Sequence, residues 1–83
     1  MDGISGVAEA PMMHSPEDAR WIREQLNSLP QRYRQQAMDG YSAAYREAHD
    51  AEPALHRKEN AARFAANTRL RIFVEKHLQA ITE

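Results

Sequence analysis

Four histidines, His14, His49, His56 and His77, are the first candidates for proton transfer or metal ligation. His49 and His56 flank Asp50 and Glu52, a mixed nitrogen and oxygen donor set. Pro53 breaks the chain between the two imidazoles, and the HExxH spacing of zinc enzymes is absent. These positions therefore read as surface histidines, and His77 as a buried or capping imidazole. The chain has no Cys, which removes a thiol nucleophile, disulfides and the common zinc frameworks. Ser5, Ser15, Ser28 and Ser42 sit in no activating motif, and no phosphate loop, nucleophile elbow or dinucleotide fingerprint occurs. Glu17 and Asp18 are adjacent acids, but following Ser15-Pro16 they suit a helix start better than acid–base work. The expectation is a chain with no catalytic group, no metal site and no cofactor, and so not an enzyme.

The remaining chemistry is charge. The stretch HRKENAARFAANTRLRIFVEKH, from His56 to His77, holds six Arg or Lys side chains against two Glu. Residues 1–52 carry five Arg against nine acids, and residues 53–83 carry six cations against three acids. The formal net charge of −1 disfavours a general nucleic-acid coat protein. The asymmetry predicts a basic C-terminal element that either pairs with the acidic half or meets an acidic partner.

Three helices are expected to position these residues. Ser15-Pro16-Glu17-Asp18 is a helix start: a capping hydroxyl, a proline suited to the first turn, and two acids at the positive end of the dipole. Ala19, Ile22, Leu26 and Leu29 then recur at three- and four-residue steps, predicting a helix over roughly 16–28 with Trp21 at the edge of its stripe. Pro30 biases Leu29 away from helical geometry and opens a second helix. Its apolar face is Tyr33, Ala37, Tyr41, Ala44, Tyr45 and Ala48, and Gly40 marks either a close helix approach or a weak turn. After HDAEP a long third helix is expected over 53–80. Its core stripe is Leu55, Ala62, Ala66, Leu70, Phe73 and Ile81, with His77 on the same side.

No segment alternates like a strand, so the expected fold is all-α, a three-helix hairpin or bundle with a long C-terminal helix. Residues 1–14, with Gly3, Gly6 and Pro11, read as a flexible leader rather than a secretory signal, and Met12-Met13 as a pair able to dock on the body. Residues 15–83 form the single helical domain. A chain of 83 residues buries a small core, and a partner is a common remedy. No apolar run approaches the roughly 18 to 20 residues that cross a bilayer, so no membrane partner is expected.

Projected onto a helical wheel from Leu55, Phe64 falls opposite the core, between Arg57 and Arg71. Lys58, Arg69 and Lys76 form a second strip, and Arg63 lies apart from both. Cations spread over several faces argue against a helix that reads DNA, which gathers its Arg and Asn on one side. Asn60-Ala61-Ala62-Arg63 invites comparison with basic-zipper proteins, but Arg63 and Phe64 stand where that pattern wants small residues. An aromatic between two Arg side chains, opposite the core, has the composition of a contact hot spot. Ile72 is also off the main stripe, and apolar residues on more than one side of a helix imply more than one neighbour. Arg57, Phe64, Arg69 and Arg71 are therefore the expected partner-binding residues.

The strings AMDGYSAAYREAHDAEP and ENAARFAANTRLRIFVEK resemble small accessory proteins of temperate phages and prophages of enterobacteria, over about residues 17–77. The resemblance implies a cytoplasmic protein of the bacterial host cell that binds and modulates, or inhibits, a host or phage protein. It carries over no site residue. Two further expectations stand beside it: a nucleic-acid-binding module using the basic third helix, and a self-associating helical domain.

Overall fold

The computed structural model describes residues 13–82, and side chains through residue 79. The chain opens as the capping sequence predicts. The Ser15 side chain accepts a hydrogen bond from the Glu17 amide at 3.4 Å, and the Ser15 carbonyl accepts from the Asp18 amide at 3.0 Å. A 3-10 turn over Pro16–Asp18 leads into α1, Ala19–Asn27. Pro30, with extended backbone, starts α2, Gln31–Ala51. A second 3-10 turn, Leu55–Arg57, leads into α3, Lys58–Thr82. No strand occurs among the described residues. The architecture is an α2–α3 hairpin with the shorter α1 packed against both arms.

The core joins all three helices. Ile22, Leu26 and Leu29 come from α1 and the turn after it, Ala37, Tyr41, Ala44 and Tyr45 from α2, and Ala62, Ala66, Leu70 and Val74 from α3. Four of these eleven are alanines, so α2 and α3 meet through small side chains and the larger apolar volume comes from α1, Tyr41 and Leu70. Burying each of Ile22, Leu26 and Leu29 contributes about 1.5–3 kcal/mol. Trp21, Met13, Met38 and Phe73 close the edges of this core.

Two cations finish helices that precede them. Arg34 donates from Nε to the carbonyls of Leu26 and Leu29 at 3.0 and 3.2 Å, and from Nη2 to that of Asn27 at 3.4 Å. Lys58 Nζ donates to the carbonyls of His49 and Glu52. Each positive charge thus sits at the negative end of a helix dipole, on carbonyls of the last turn and just past it, that of Leu26 also accepting from the Leu29 amide at 3.1 Å.

The third helix departs from its sequence pattern at its start. Leu55 is not core; it is 83% exposed. Ala54 is extended, and Leu55 lies in the 3-10 turn that follows, before α3 begins at Lys58, so it is not part of the helix whose stripe it was expected to open. The buried stripe of α3 is instead Ala62, Ala66, Leu70 and Val74, in four-residue steps. Phe73 and His77 are half-buried beside it. The Ile81 side chain lies outside the described residues. On α2, Tyr33 and Ala48 are only half-buried. Of the leader, Met12 lies outside the described residues, while Met13 does dock: it packs on the core and its amide donates to Ser42 Oγ at 3.2 Å.

Candidate protein-interaction face

A chain of polar side chains fixes the orientation of α3. Arg63 reaches across to the N-terminal turn and grips Asp18 with two bonds, Nε to Oδ2 at 2.8 Å and Nη2 to Oδ1 at 3.0 Å. Its Nη1 donates to Glu17 Oε1 at 2.6 Å. Asn67, one turn further along α3, donates from Nδ2 to Asp18 Oδ2 at 3.1 Å and accepts from the Tyr41 hydroxyl at 2.6 Å. One connected network therefore ties the first turn to α2 and α3. The Arg63 guanidinium holds the Asp18 carboxyl below its ordinary range, against the opposing effect of burial. Asp18 in turn raises Arg63 further above its usual value, and burial pushes the Tyr41 and Tyr45 hydroxyls up.

With Ala62, Ala66 and Leu70 buried and Arg63 and Asn67 turned to the first turn and α2, the opposite side of α3 faces outward. Phe64 stands there with 76% of its surface exposed. Arg57 and Arg71 are exposed one seven-residue step before and after it, and Leu78, 38% exposed, is one step beyond Arg71. Seven residues advance a helix by about 10.5 Å and drift only about 20° around it, so Phe64, Arg71 and Leu78 share one stripe, while Arg57 lies in the 3-10 turn just before α3. Ala61, Ala65, Thr68, Ile72 and Glu75 lie alongside at the intervening helical positions. Ile72 is itself 42% exposed.

Of the four anticipated contact residues, Phe64 and Arg71 share this stripe, and Arg57 is exposed in the turn just before α3. Arg69 does not share it. It points toward α2, its Nε 3.4 Å from where a side chain at Gly40 would begin. Leu78, Thr68 and Glu75 belong to the face and were not anticipated; counting in sevens from Phe64 finds Leu78 and Arg57 together. The close-approach reading of Gly40 describes this arrangement only loosely, since what lies over it is a flexible guanidinium and not the α3 backbone.

The basic stretch has fewer cations for a partner than its composition suggests. Arg63 pairs with Asp18 and Glu17, and Lys58 caps α2. The acidic first half and the basic third helix therefore do pair, but chiefly through Arg63. A phosphate-binding surface would rest on Arg57, Arg69, Arg71 and Lys76, which do not share one side of the helix.

The histidines are dispersed. His77 stacks on Phe73 at 4.1 Å and lies 4.6 Å from the Tyr33 ring, with Nδ1 2.9 Å from the Phe73 carbonyl. A carbonyl can only accept, so Nδ1 carries the proton of that contact. His49 stacks near Tyr45 and lies 3.9 Å from Asp50. Among the described residues no three His, Asp or Glu side chains are grouped to hold a metal ion, and no helix is long and apolar enough to cross a membrane.

Fold and face together define a small all-α domain whose longest helix is apolar on two sides, only one of which the described residues cover. No family model, curated protein or solved structure matches the chain.

Proposed function

We propose that this chain is a non-enzymatic accessory protein that binds another protein through the outer face of α3 and modulates it. The observation that carries the reading is Phe64, a large aromatic held outward between Arg57 and Arg71 on a rigid helix. Leaving such a ring in water forgoes the burial that a partner would supply. The polar groups nearest the core support the non-catalytic half of the reading. Tyr41, Asn67, Asp18 and Arg63 satisfy one another and brace α3 rather than converge on an open cleft. The resemblance over residues 17–77 supplies the setting: the cytoplasm of an enterobacterial host, with a host or phage protein as the target.

The test is capture from enterobacterial lysate by the tagged full chain and by its Phe64→Ala variant, with circular dichroism on both. A protein retained by the first and lost by the second, at unchanged helicity, supports the reading. Capture that ignores the substitution, or helicity lost in step with capture, overturns it. A nucleic-acid module would instead show binding to duplex DNA that falls steeply with salt as counterions are released.

A further inference from the structure

Leu55 is 83% exposed at the tip of the hairpin, in the 3-10 turn between α2 and α3. Its helical phase is nonetheless that of the core. On one unbroken helix, at about 100° per residue, the buried residues of α2, Ala37 to Tyr45, and of α3, Ala62 to Val74, all fall within about 60° of Tyr41. Leu55 falls inside the same arc, about 40° from Tyr41. The two inner stripes are thus one stripe, interrupted by a turn that leaves Leu55 in water.

The pairing of α2 with α3 has its midpoint at that turn. The Tyr41 hydroxyl bonds Asn67, the Tyr33 ring lies 4.6 Å from that of His77, and Lys58 reaches the His49 carbonyl. Each of these pairs is centred between residues 53 and 55. Two copies that exchanged their α3 arms would make the same contacts about a two-fold axis at that point. The two helices would run antiparallel, and Leu55 of one copy would meet Leu55 of the other.

Three groups favour the turn over the unbroken helix. Pro53 has no amide for the His49 carbonyl and its ring would crowd it, and Glu52 before it is extended. Lys58 Nζ takes that carbonyl instead, at 3.0 Å, together with that of Glu52. The Glu52 carboxylate accepts from the Ala54 amide at 3.1 Å. In an unbroken helix the Ala54 amide would belong to the Asp50 carbonyl, and Lys58 would stand nine residues beyond His49, about 13.5 Å along the axis. Both side-chain contacts therefore exist only in the turned form.

We infer that the chain has a second arrangement, an arm-exchanged dimer in which α2 and α3 run on as one helix and the two Leu55 side chains pack at the axis, and that Glu52, Pro53 and Lys58 latch the hairpin against it. The exchange uses only the inner faces. Phe64 lies about 140° from Tyr41 on the same helix and stays outward in both arrangements, so the inference does not rest on the outer face of α3.

The chain has no Cys, so spin labels can be placed at Gln36→Cys and Glu75→Cys, both exposed and near one level of the hairpin. Labelled chain diluted into unlabelled chain reads the distance within one copy. Sedimentation of the full chain from micromolar to millimolar concentration reads its mass, with dichroism on every variant. The native chain should be a monomer with a short label distance. Pro53→Ala removes one proline from each fused helix, each worth about a hundredfold, and should lower the Kd of the dimer about ten-thousandfold. Its label distance should lengthen to about 58 Å, the span of the 39 residues between the labels on one helix. Adding Leu55→Ala should raise that Kd about a hundredfold at unchanged helicity, since alanine is the better helix former and only the contact at the axis is lost. Adding Lys58→Met instead should lower it about tenfold further, because the bonds it removes exist only in the hairpin. A Pro53→Ala chain that stays monomeric throughout, or that dimerises at the short label distance, overturns the exchange. A native chain that exchanges as readily as Pro53→Ala overturns the latch. A Kd indifferent to Leu55→Ala overturns the meeting at the axis, and one indifferent to Lys58→Met removes Lys58 from the latch.

Discussion

The inner and outer faces of α3 are built on different rules although one helix carries both. The inner face steps by four residues, Ala62, Ala66, Leu70 and Val74, and is small at its N-terminal end. Small residues let α2 approach, and the four-residue ridge suits packing at an angle against a neighbour. The outer face steps by seven, Phe64, Arg71 and Leu78, with Arg57 in the turn just before it, and sets a large cation between large apolar groups. A strict seven-residue step is the geometry of a long, nearly parallel helix contact. The inner face holds the fold, and among the described residues nothing is packed on Phe64 of the outer face to bury it. That separation is what substitutions on the two sides should expose.

The largest effect belongs on the inner side. Leu70 is 1% exposed at the centre of the contact among the three helices. Leu70→Ala should cost about 3 kcal/mol through lost burial and an unfilled cavity. Denaturant unfolding measures it. A loss below about 1 kcal/mol would show that α1 collapses into the gap and that the core is less tightly packed than its burial implies.

Next comes the polar network that sets which side of α3 faces in. Asp18 has a carboxyl pKa lowered from its ordinary 3.8, chiefly by the hydrogen bonds from Arg63. A lowered folded pKa means that the contribution is fully present above the unfolded value and is lost as pH falls through the folded one. Stability should therefore hold above about pH 5 and fall below about pH 4. Asp18→Asn should be less stable at neutral pH and show a flatter acid limb than the native chain. Thermal melts from acid to neutral pH read both, and parallel acid limbs for the two proteins would remove Asp18 from the account.

Gly40 offers a change of opposite sign. It lies inside α2, and a Cβ there would meet only the Arg69 side chain, at 3.4 Å from Nε and 3.8 Å from Nη2. That is ordinary contact with a group free to move. Gly40→Ala should raise stability by up to about 1 kcal/mol by removing the entropic cost of glycine in a helix. A destabilised variant would mean that α2 and Arg69 are fitted more closely than this contact implies.

Most of the fold was legible because it rests on local signals. Ser15-Pro16 and Pro30 mark element starts, and Pro53 follows the end of α2, through backbone constraints read from the sequence alone. The stripes of α1 and α2 are periodic over enough residues to fix their inward sides. The start of α3 was not legible, because residue types do not announce that an extended residue and a 3-10 turn precede it, and Leu55 was misplaced as a result. The roles of Arg34, Lys58 and Arg63 were hidden for a different reason. Each long side chain acts across a gap in sequence, on carbonyls or carboxylates that only the fold brings near. The outward position of Phe64 was legible because it depends only on helical arithmetic within one continuous element.

Phe64→Ala is the substitution that separates the two faces most sharply. A ring exposed by 76% makes few contacts within its own chain, so its loss should change stability by less than about 0.5 kcal/mol. Alanine is also the better helix former, which offsets what little packing the ring provides. The same change should remove most of the association made by the outer face. Leu70→Ala should do the reverse at concentrations where the variant stays folded: a large loss of stability with the outer stripe still presented. Unfolding free energy and association constant, measured on both variants, give two axes on which the substitutions should fall apart. If Phe64→Ala unfolds the chain as readily as Leu70→Ala, the ring belongs to the core, and the outer face of α3 is not independent of the inner one.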